Sequence, residues 1–205
     1  MEQLDTEQLI KTAKHYQVRG QHEDALRTYQ DALAIDPKCS EALHELGMIH
    51  FRSGNISMAI TLLKEATKYD DRRADFYNNL GTILKTSGDL DAAEKAFRKA
   101  LTLDRNLVPA LVNIGSLLLD RLQVAAALKA LNRAVDLAPE NSTALSTYAE
   151  AKKTSGDVVE ALSLQLQAAE TNPLADFVWL NLANTHMDLE PVSYTHLTLP
   201  TIYSV

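Results

Sequence analysis

The sequence contains a single cysteine, Cys39, so the chain cannot form an internal disulfide bond. Such a composition is typical of proteins from a reducing compartment. Basic residues are in the minority, since 20 Lys and Arg face 27 Asp and Glu and give a formal net charge of −7. Binding to a phosphate backbone requires lysine and arginine to displace counterions, so this balance argues against nucleic acid as a partner.

Long apolar runs are also missing, and no stretch of the sequence could span a bilayer. The first residues, MEQLDTEQLIKTAKHY, lack the basic-then-apolar layout of a secretion signal. We therefore predict a cytoplasmic protein that does not bind membranes. Hydrophobic residues make up 46 % of the chain and charged residues 23 %, which is sufficient for a chain that buries a core.

The chain has no recognisable catalytic motif. The nearest approach is HELGM, residues 44–48, but a zinc protease helix needs a second histidine four residues after the first, where Met48 stands. His44 is therefore expected to line a groove or the surface. We predict no catalytic residue, metal site or cofactor, and no enzymatic activity of this chain itself.

A 34-residue period accounts for the alanines and glycines that recur along the chain. Counting blocks from Thr6 places alanine at block positions 20 and 27 in five successive blocks, ten times out of ten. All seven glycines fall at positions 8 or 15, and large apolar residues recur at position 4. Positions 4, 7, 8 and 11 share one face of a first helix, and positions 20, 24 and 27 share one face of a second.

Each block is therefore predicted to form a helix–turn–helix unit. A small residue at position 8 facing alanine at 20 and 27 allows the two helices to approach closely. Glycine at position 15 is expected to end the first helix, and Asp89 to cap the second helix of the third block. Proline at position 32 is expected to stop the second helix in the blocks that have it (Pro37, Pro139, Pro173).

These registers resemble the tetratricopeptide repeat (TPR), a 34-residue helix–turn–helix unit, from residue 6 to about residue 190. The resemblance implies an all-α fold, a right-handed α-solenoid of five complete units and half of a sixth. The units start at residues 6, 40, 74, 108, 142 and 176, and we assign residues 1–190 to this solenoid. The resemblance also implies that the first helices line a concave groove and that neighbouring units share their apolar faces.

The end of the sequence departs from the period. Residues 192–205, VSYTHLTLPTIYSV, contain no charged residue and neither alanine nor glycine. Back-translation of Val192 to Thr201 gives a string that resembles the transposon-end adapter used in sequencing libraries. We therefore expect residues 191–205 to be a disordered tail of non-native origin, and the natural protein to continue differently after residue 190. The half-unit before it, without a second helix, is expected to fray.

The groove positions of the first helices indicate how such a chain could bind. Position 6 holds asparagine at Asn79, Asn113 and Asn181. An asparagine amide offers one acceptor and two donors, which matches an extended peptide backbone. The pattern resembles the asparagine ladder in the repeat region of protein O-linked N-acetylglucosamine transferases, although three other blocks depart from it (Lys11, Glu45, Thr147). The alternative is that these amides bond neighbouring helices or water.

Further residues are expected in the groove as contacts for ligand side chains: Met48, Phe51, Val112, Leu119 and Asn184. Some of them could instead belong to the core between units. We predict a non-catalytic interaction module, or scaffold, that binds a protein or peptide partner in the groove. The alternative is the substrate-recruiting N-terminal region of a truncated enzyme, such as a glycosyltransferase or a sulfotransferase. A purely structural role in assembly is a third interpretation.

Overall fold

The computed structural model describes residues 5–173 and 176–187, with side chains described throughout these ranges except at 176–178 and 186–187. The described residues form eleven α-helices and no β-strand. Contacts divide the chain into two compact units, Met1–Arg121 with α1–α7 and Leu122–Val205 with α8–α11. The helices are α1 (Thr6–Val18), α2 (His22–Ile35), α3 (Ser40–Arg52), α4 (Ile56–Tyr69), α5 (Ala74–Thr86), α6 (Leu90–Leu103), α7 (Val108–Asp120), α8 (Val124–Leu137), α9 (Ser142–Thr154), α10 (Val158–Thr171) and α11 (Asp176–Met187).

The helices keep the period of the sequence without a shift. The odd-numbered helices α1 to α9 each have 13 residues, and the even-numbered helices α2 to α10 each have 14. Every odd-numbered helix, α11 included, begins at the residue that starts a sequence block. The predicted fold class, an all-α array of helix–turn–helix units, is therefore confirmed. The proposed tail at 191–205 lies outside the described residues.

The alanines at block positions 20 and 27 are completely buried. All ten have no exposed surface: Ala25, Ala32, Ala59, Ala66, Ala93, Ala100, Ala127, Ala134, Ala161 and Ala168. Side chains larger than a methyl group would force neighbouring helices apart, because protein interiors are close-packed. The interpretation of these alanines as helix-contact positions is thus confirmed.

Gly47 and Gly81, at position 8, lie against the large side chain at position 24 of their own blocks. A Cβ added at Gly81 would lie 2.6 Å from Phe97 Cε1, and one added at Gly47 would lie 2.0 Å from Leu63 Cδ1. Gly47 also approaches the backbone oxygen of Ala59, at 3.4 Å from the added Cβ. In these two helix pairs the glycine therefore makes room for the large side chain at position 24.

The turn between the two helices of a block requires a positive φ angle. Glycine takes it at position 15 in four blocks, with φ between 74° and 93° (Gly20, Gly54, Gly88, Gly156). In the fourth block the same position is Leu122, whose φ is 58°. Asp89 caps the following α6 as predicted, accepting a hydrogen bond from the Ala92 backbone N–H at 3.1 Å.

The second helices end at position 30 whether or not proline follows at position 32. Helices α4 and α6 end there although Asp71 and Arg105 replace proline. The prediction that proline stops these helices was therefore incomplete. In three blocks the aspartate at position 31 accepts a hydrogen bond from the backbone N–H two residues later, in an Asx turn that competes with helix continuation (Asp36–Lys38 3.0 Å, Asp70–Arg72 3.1 Å, Asp104–Asn106 2.9 Å).

Within the unit Leu122–Val205, the pair α9 and α10 encloses a polar residue. Gln165 stands at position 24, where other blocks have Tyr29, Leu63, Phe97 or Leu131, and it is fully buried. Its Nε2 donates to the Ser146 backbone oxygen at 3.5 Å. Among the described residues nothing bonds to Gln165 Oε1 or to Ser146 Oγ. This helix pair therefore has a polar defect in its core.

The last described helix, α11, leaves large apolar side chains in solvent. Trp179 is 45 % exposed and Leu180 is 62 % exposed. Trp179 Nε1 donates to the Pro173 backbone oxygen at 2.8 Å, which anchors the polar edge of the indole. Helix α11 packs against α9 and α10.

Candidate functional site

The odd-numbered helices of the unit Met1–Arg121 present one continuous face, because side-chain bonds join each helix to the next. We call the exposed and half-buried side chains of α1, α3, α5 and α7 the first-helix face. Helix α5 contacts both α3 and α7. The bonds at the two ends of the face are Lys14–Glu41, Gln17–Glu45 (Nε2 to Oε2, 3.2 Å), Lys85–Ser116 (2.8 Å) and Lys85–Asp120 (2.8 Å).

The apolar residues predicted for a groove divide into two groups. Met48, Phe51 and Leu119 are half-buried on the first-helix face, so a partner could contact them. Val112 is only 7 % exposed and contributes to the core instead, as the alternative interpretation allowed. Asn181, half-buried, and Asn184, exposed, lie on α11 in the other unit.

The amides of Asn79 and Asn113 are engaged in bonds between helices. Asn79 Nδ2 lies 2.9 Å from His44 Nε2 on α3. Asn113 Nδ2 on α7 donates to Asn78 Oδ1 at 3.0 Å and to Thr82 Oγ1 at 3.2 Å, both on α5. Asn113 thus uses both of its amide hydrogens between helices, and Asn79 uses one of its two, as the alternative interpretation of these amides allowed.

His44 is buried at 6 % exposure, so the expectation that it lines a groove or the surface was wrong. Its ring stacks on Phe76, with centroids 4.3 Å apart and planes 9° apart. An amide nitrogen can only donate, so His44 Nε2 must accept from Asn79 and the ring hydrogen lies on Nδ1. Nδ1 is 3.1 Å from Glu45 Oε1, which accepts that hydrogen.

The Glu45 carboxylate accepts hydrogen bonds from two directions. His44 donates to one oxygen, and Gln17 donates to the other. Gln17 in turn accepts from the Tyr29 hydroxyl at 2.9 Å. Burial acts to raise the pKa of Glu45, but the hydrogen bonds from His44 and Gln17 outweigh it and hold that pKa below its ordinary value.

Sequence reasoning missed His44, Asn78 and Gln17 as members of this network. A signal existed at block position 5, which is polar in two successive blocks, at His44 and Asn78. Positions 5 and 6 of neighbouring first helices meet in the fold, so polar residues at both positions indicate bonds between blocks.

Three sequence-family models match the chain, and all three describe the tetratricopeptide repeat. They cover residues 19–81, 74–107 and 112–176, which together span most of the helices. The chain belongs to the tetratricopeptide repeat family. TPR proteins generally mediate protein–protein interactions and are typically non-catalytic scaffolds.

Solved TPR structures share this fold at low sequence identity. PilF of Pseudomonas aeruginosa is similar with a TM-score of 0.77 and 21 % identity, covering 89 % of this chain and 85 % of PilF. The Cut9–Hcn1 hetero-tetramer of the APC/C is similar with a TM-score of 0.78 and 21 % identity. The similarity covers 88 % of this chain and 36 % of the matched chain. YrrB, a TPR protein with an unusual peptide-binding site, is similar with a TM-score of 0.67 and 19 % identity, covering 88 % of this chain and 92 % of YrrB. A search of curated proteins found no match.

A cavity of about 400 Å³ lies where α1 and α3 begin. Its two lysines pair with its two glutamates, Lys11 with Glu7 and Lys14 with Glu41, so the lining is close to neutral. The remaining lining residues are Thr6, Ile10 and Cys39. The cavity continues the first-helix face at its N-terminal end.

No group of three or more His, Cys, Asp or Glu in the described ranges could hold a metal ion. Of the helices that the structure describes, none combines the length and apolarity needed to cross a membrane.

Proposed function

We propose that this TPR chain is a protein-interaction module that binds an extended peptide along its first-helix face. The observation that carries the proposal is the series of bonds that joins α1, α3, α5 and α7 into one face with half-buried Met48, Phe51 and Leu119 on it. A face that is already ordered loses little conformational freedom on binding, which favours affinity. The peptide-binding site of YrrB, a protein of similar fold, supports the same kind of ligand.

Apolar contacts are expected to supply most of the affinity. The donors of Asn79 and Asn113 are shared with neighbouring helices, whereas Met48 and Phe51 retain surface that a ligand can cover. Burying such side chains is favourable in proportion to the apolar area removed from water. We therefore expect ligands with apolar side chains spaced along an extended backbone.

The test is selection of a phage-displayed random peptide library on the purified chain, followed by affinity measurements with two matched methionine variants. Met48→Ala removes a contact from the first-helix face, and Met58→Ala removes a 44 % exposed methionine from α4. Loss of about 1 kcal/mol of apolar burial should make Met48→Ala bind about fivefold more weakly, with Met58→Ala unchanged.

Two results would contradict the proposal. One is the absence of any enriched peptide. The other is an enriched peptide whose affinity is unchanged by Met48→Ala or equally reduced by Met58→Ala. Circular dichroism of both variants should match that of the original chain, because both side chains are partly in solvent.

A further inference from the structure

We infer that Glu45 and His44 fix the direction of a hydrogen-bond chain that makes Asn113 an acceptor toward ligands on the first-helix face, and that protonation of His44 reverses this direction. Glu45 and His44 act as positioning residues. The ligand preference rests on the proposed function. The direction of the hydrogen bonds rests on the geometry alone.

The donors of the chain all point from Asn113 toward Glu45. Asn113 Nδ2 donates to Asn78 Oδ1 at 3.0 Å, and Asn78 Nδ2 donates to Asn79 Oδ1 at 3.4 Å. Asn79 Nδ2 then donates to His44 Nε2 at 2.9 Å, and His44 Nδ1 faces Glu45 Oε1 at 3.1 Å. A carboxylate accepts only, so Glu45 orients His44, His44 orients Asn79, and the order passes along the amides to Asn113.

This direction decides what Asn113 can offer to a partner. Both hydrogens of its amide nitrogen are used, one toward Asn78 and one toward Thr82. Only the amide oxygen can then contact a ligand, so the ligand must donate. A peptide backbone N–H is the donor that an extended ligand presents at regular intervals.

Protonation of His44 would place a second hydrogen on Nε2, directed at the donating nitrogen of Asn79. Two facing donors repel each other, and rotating the Asn79 amide by half a turn would restore a bond. Asn78 and Asn113 must then rotate as well, because each has lost the partner of its former orientation. Thr82 Oγ1, which donates to the Asn78 backbone oxygen at 3.1 Å, must turn its hydrogen toward the Asn113 oxygen. In the reversed chain Asn113 presents its nitrogen and becomes a donor toward ligands.

The charges around His44 come from three helices. Glu45 and Glu41 lie on α3 itself, Asp75 and Arg73 lie at the start of α5, and Lys14 lies on α1 and pairs with Glu41. Helices α2 and α4 also pack on α3, and their charged residues are exposed (His22, Glu23, Asp24, Arg27, Asp31, Lys64, Glu65, Lys68). Arg73 lies over the Phe76 ring, on which the His44 ring also stacks.

The first experiment determines the tautomer of His44 in the full chain, with no ligand present. A long-range ¹H–¹⁵N correlation spectrum at about pH 8 should show hydrogen on Nδ1 and none on Nε2. Replacement Glu45→Gln should lose this single tautomer, since a glutamine side chain can face His44 with either donor or acceptor. Glu45→Asp retains a carboxylate and should recover it. Hydrogen on Nε2 in the original chain would overturn the inference.

The second experiment lowers the pH from about 8 to about 5 and follows the side-chain amide signals of asparagine. Signals of Asn79, Asn78 and Asn113 should shift together with the His44 ring signals, with the same midpoint. Asn132, which donates to Asp136 at 2.9 Å on α8, is the internal control and should not share that midpoint. If the side-chain amide signals of Asn78 and Asn113 stay constant while the His44 ring signals shift in the folded chain, the reversal is refuted.

Neither experiment uses a peptide, so its failure is distinguishable from failure of the proposed function. Peptide binding that depends on Met48 is compatible with either direction of the hydrogen bonds between Asn113 and Glu45. The reverse outcome, a correct tautomer without peptide binding, would leave the hydrogen-bond chain as a device that aligns the first helices.

Discussion

Leu122 adopts a backbone conformation that four other blocks assign to glycine. Its φ of 58° brings a penalty for a residue with a Cβ, and its side chain, 79 % exposed, has little burial to offset that penalty. The turn of the fourth block thus has a conformational free-energy cost that the blocks with glycine avoid.

We therefore expect Leu122→Gly to stabilise the chain. Relief of the left-handed conformation, about 1–2 kcal/mol, exceeds the added flexibility of glycine in the unfolded state, about 0.5–1 kcal/mol. The midpoint of urea unfolding should rise accordingly. Leu122→Ala is the matched control, since it removes the exposed side chain but keeps the Cβ. An equal gain with alanine would show that the backbone is not the cause.

Gln165 offers a second stabilising substitution. Replacement by leucine, the residue at this position in two other blocks, removes a buried oxygen that no described group satisfies. A buried unsatisfied polar group costs about 1–3 kcal/mol, so Gln165→Leu should raise the free energy of unfolding by that order. Gln167→Leu, at an exposed position of α10, should change it by less than about 0.5 kcal/mol. A destabilised Gln165→Leu chain would contradict this account.

Within a helix pair, the helix propensity of a residue and its packing against the other helix can favour different side chains. Gly81 lies inside α5, where alanine has the higher helix propensity by about 1 kcal/mol. The Phe97 ring occupies the space that an alanine Cβ would need, and that ring is fully buried. Packing therefore opposes propensity at this position.

We expect Gly81→Ala to destabilise the chain by about 1 kcal/mol net, because overpacking costs about 1–3 kcal/mol. The measurement is urea unfolding followed by far-ultraviolet circular dichroism. In a Phe97→Val background, which removes the ring, the same glycine substitution should become neutral or stabilising. Additive effects of the two substitutions would mean that the ring is not the obstacle.

The network around Glu45 joins α1 and α3 and should make stability depend on pH. Its pKa is lowered from the ordinary value of 4.5, so the carboxylate contributes stability above about pH 4.5 that is lost as the pH falls through the lowered pKa. Between about pH 5 and pH 3 the unfolding midpoint should fall more steeply for the original chain than for Glu45→Gln. Glu7→Gln, which breaks an exposed ion pair with Lys11, should leave the original slope. Equal slopes for all three chains would contradict the role of Glu45.

The positions of the helices could be predicted from the sequence, because a strict period fixes each helix against its neighbours. Alanine at positions 20 and 27 and the turn residue at position 15 mark one register in every block. The bonds of the candidate site could not be predicted in the same way. Whether Asn113 faces a ligand or Asn78 depends on which side chains meet across two helices, and a pattern along one helix does not contain that information.

Each compact unit of the array has its own distribution of burial. In the unit Met1–Arg121, α5 buries Phe76 and Ile83 completely, whereas in the other unit α11 exposes Trp179 and Leu180. In repeat proteins a helix is stabilised mainly by its immediate neighbours, so stability differs along the chain.

Amide hydrogen exchange should therefore be faster in α11 than in α5. The comparison uses residues 179–185 against residues 76–84, under conditions where the chain stays folded. We expect α11 to exchange through local opening and α5 only through larger unfolding events. Equal protection of the two segments would show that α11 is held by contacts as extensive as those of α5.

The alternation of 13-residue and 14-residue helices from α1 to α10 has a consequence for the gene. Misaligned exchange between two copies that skips or duplicates one 34-residue block would join equivalent turns and leave each surviving alanine beside a partner of the same kind. Such an event changes the length of the array and keeps each helix in register, while the two blocks that it joins meet through a new combination of side chains. Recombination can thus resize this module in whole steps, whereas a gain or loss of another length inside a helix would rotate the rest of that helix out of its packing.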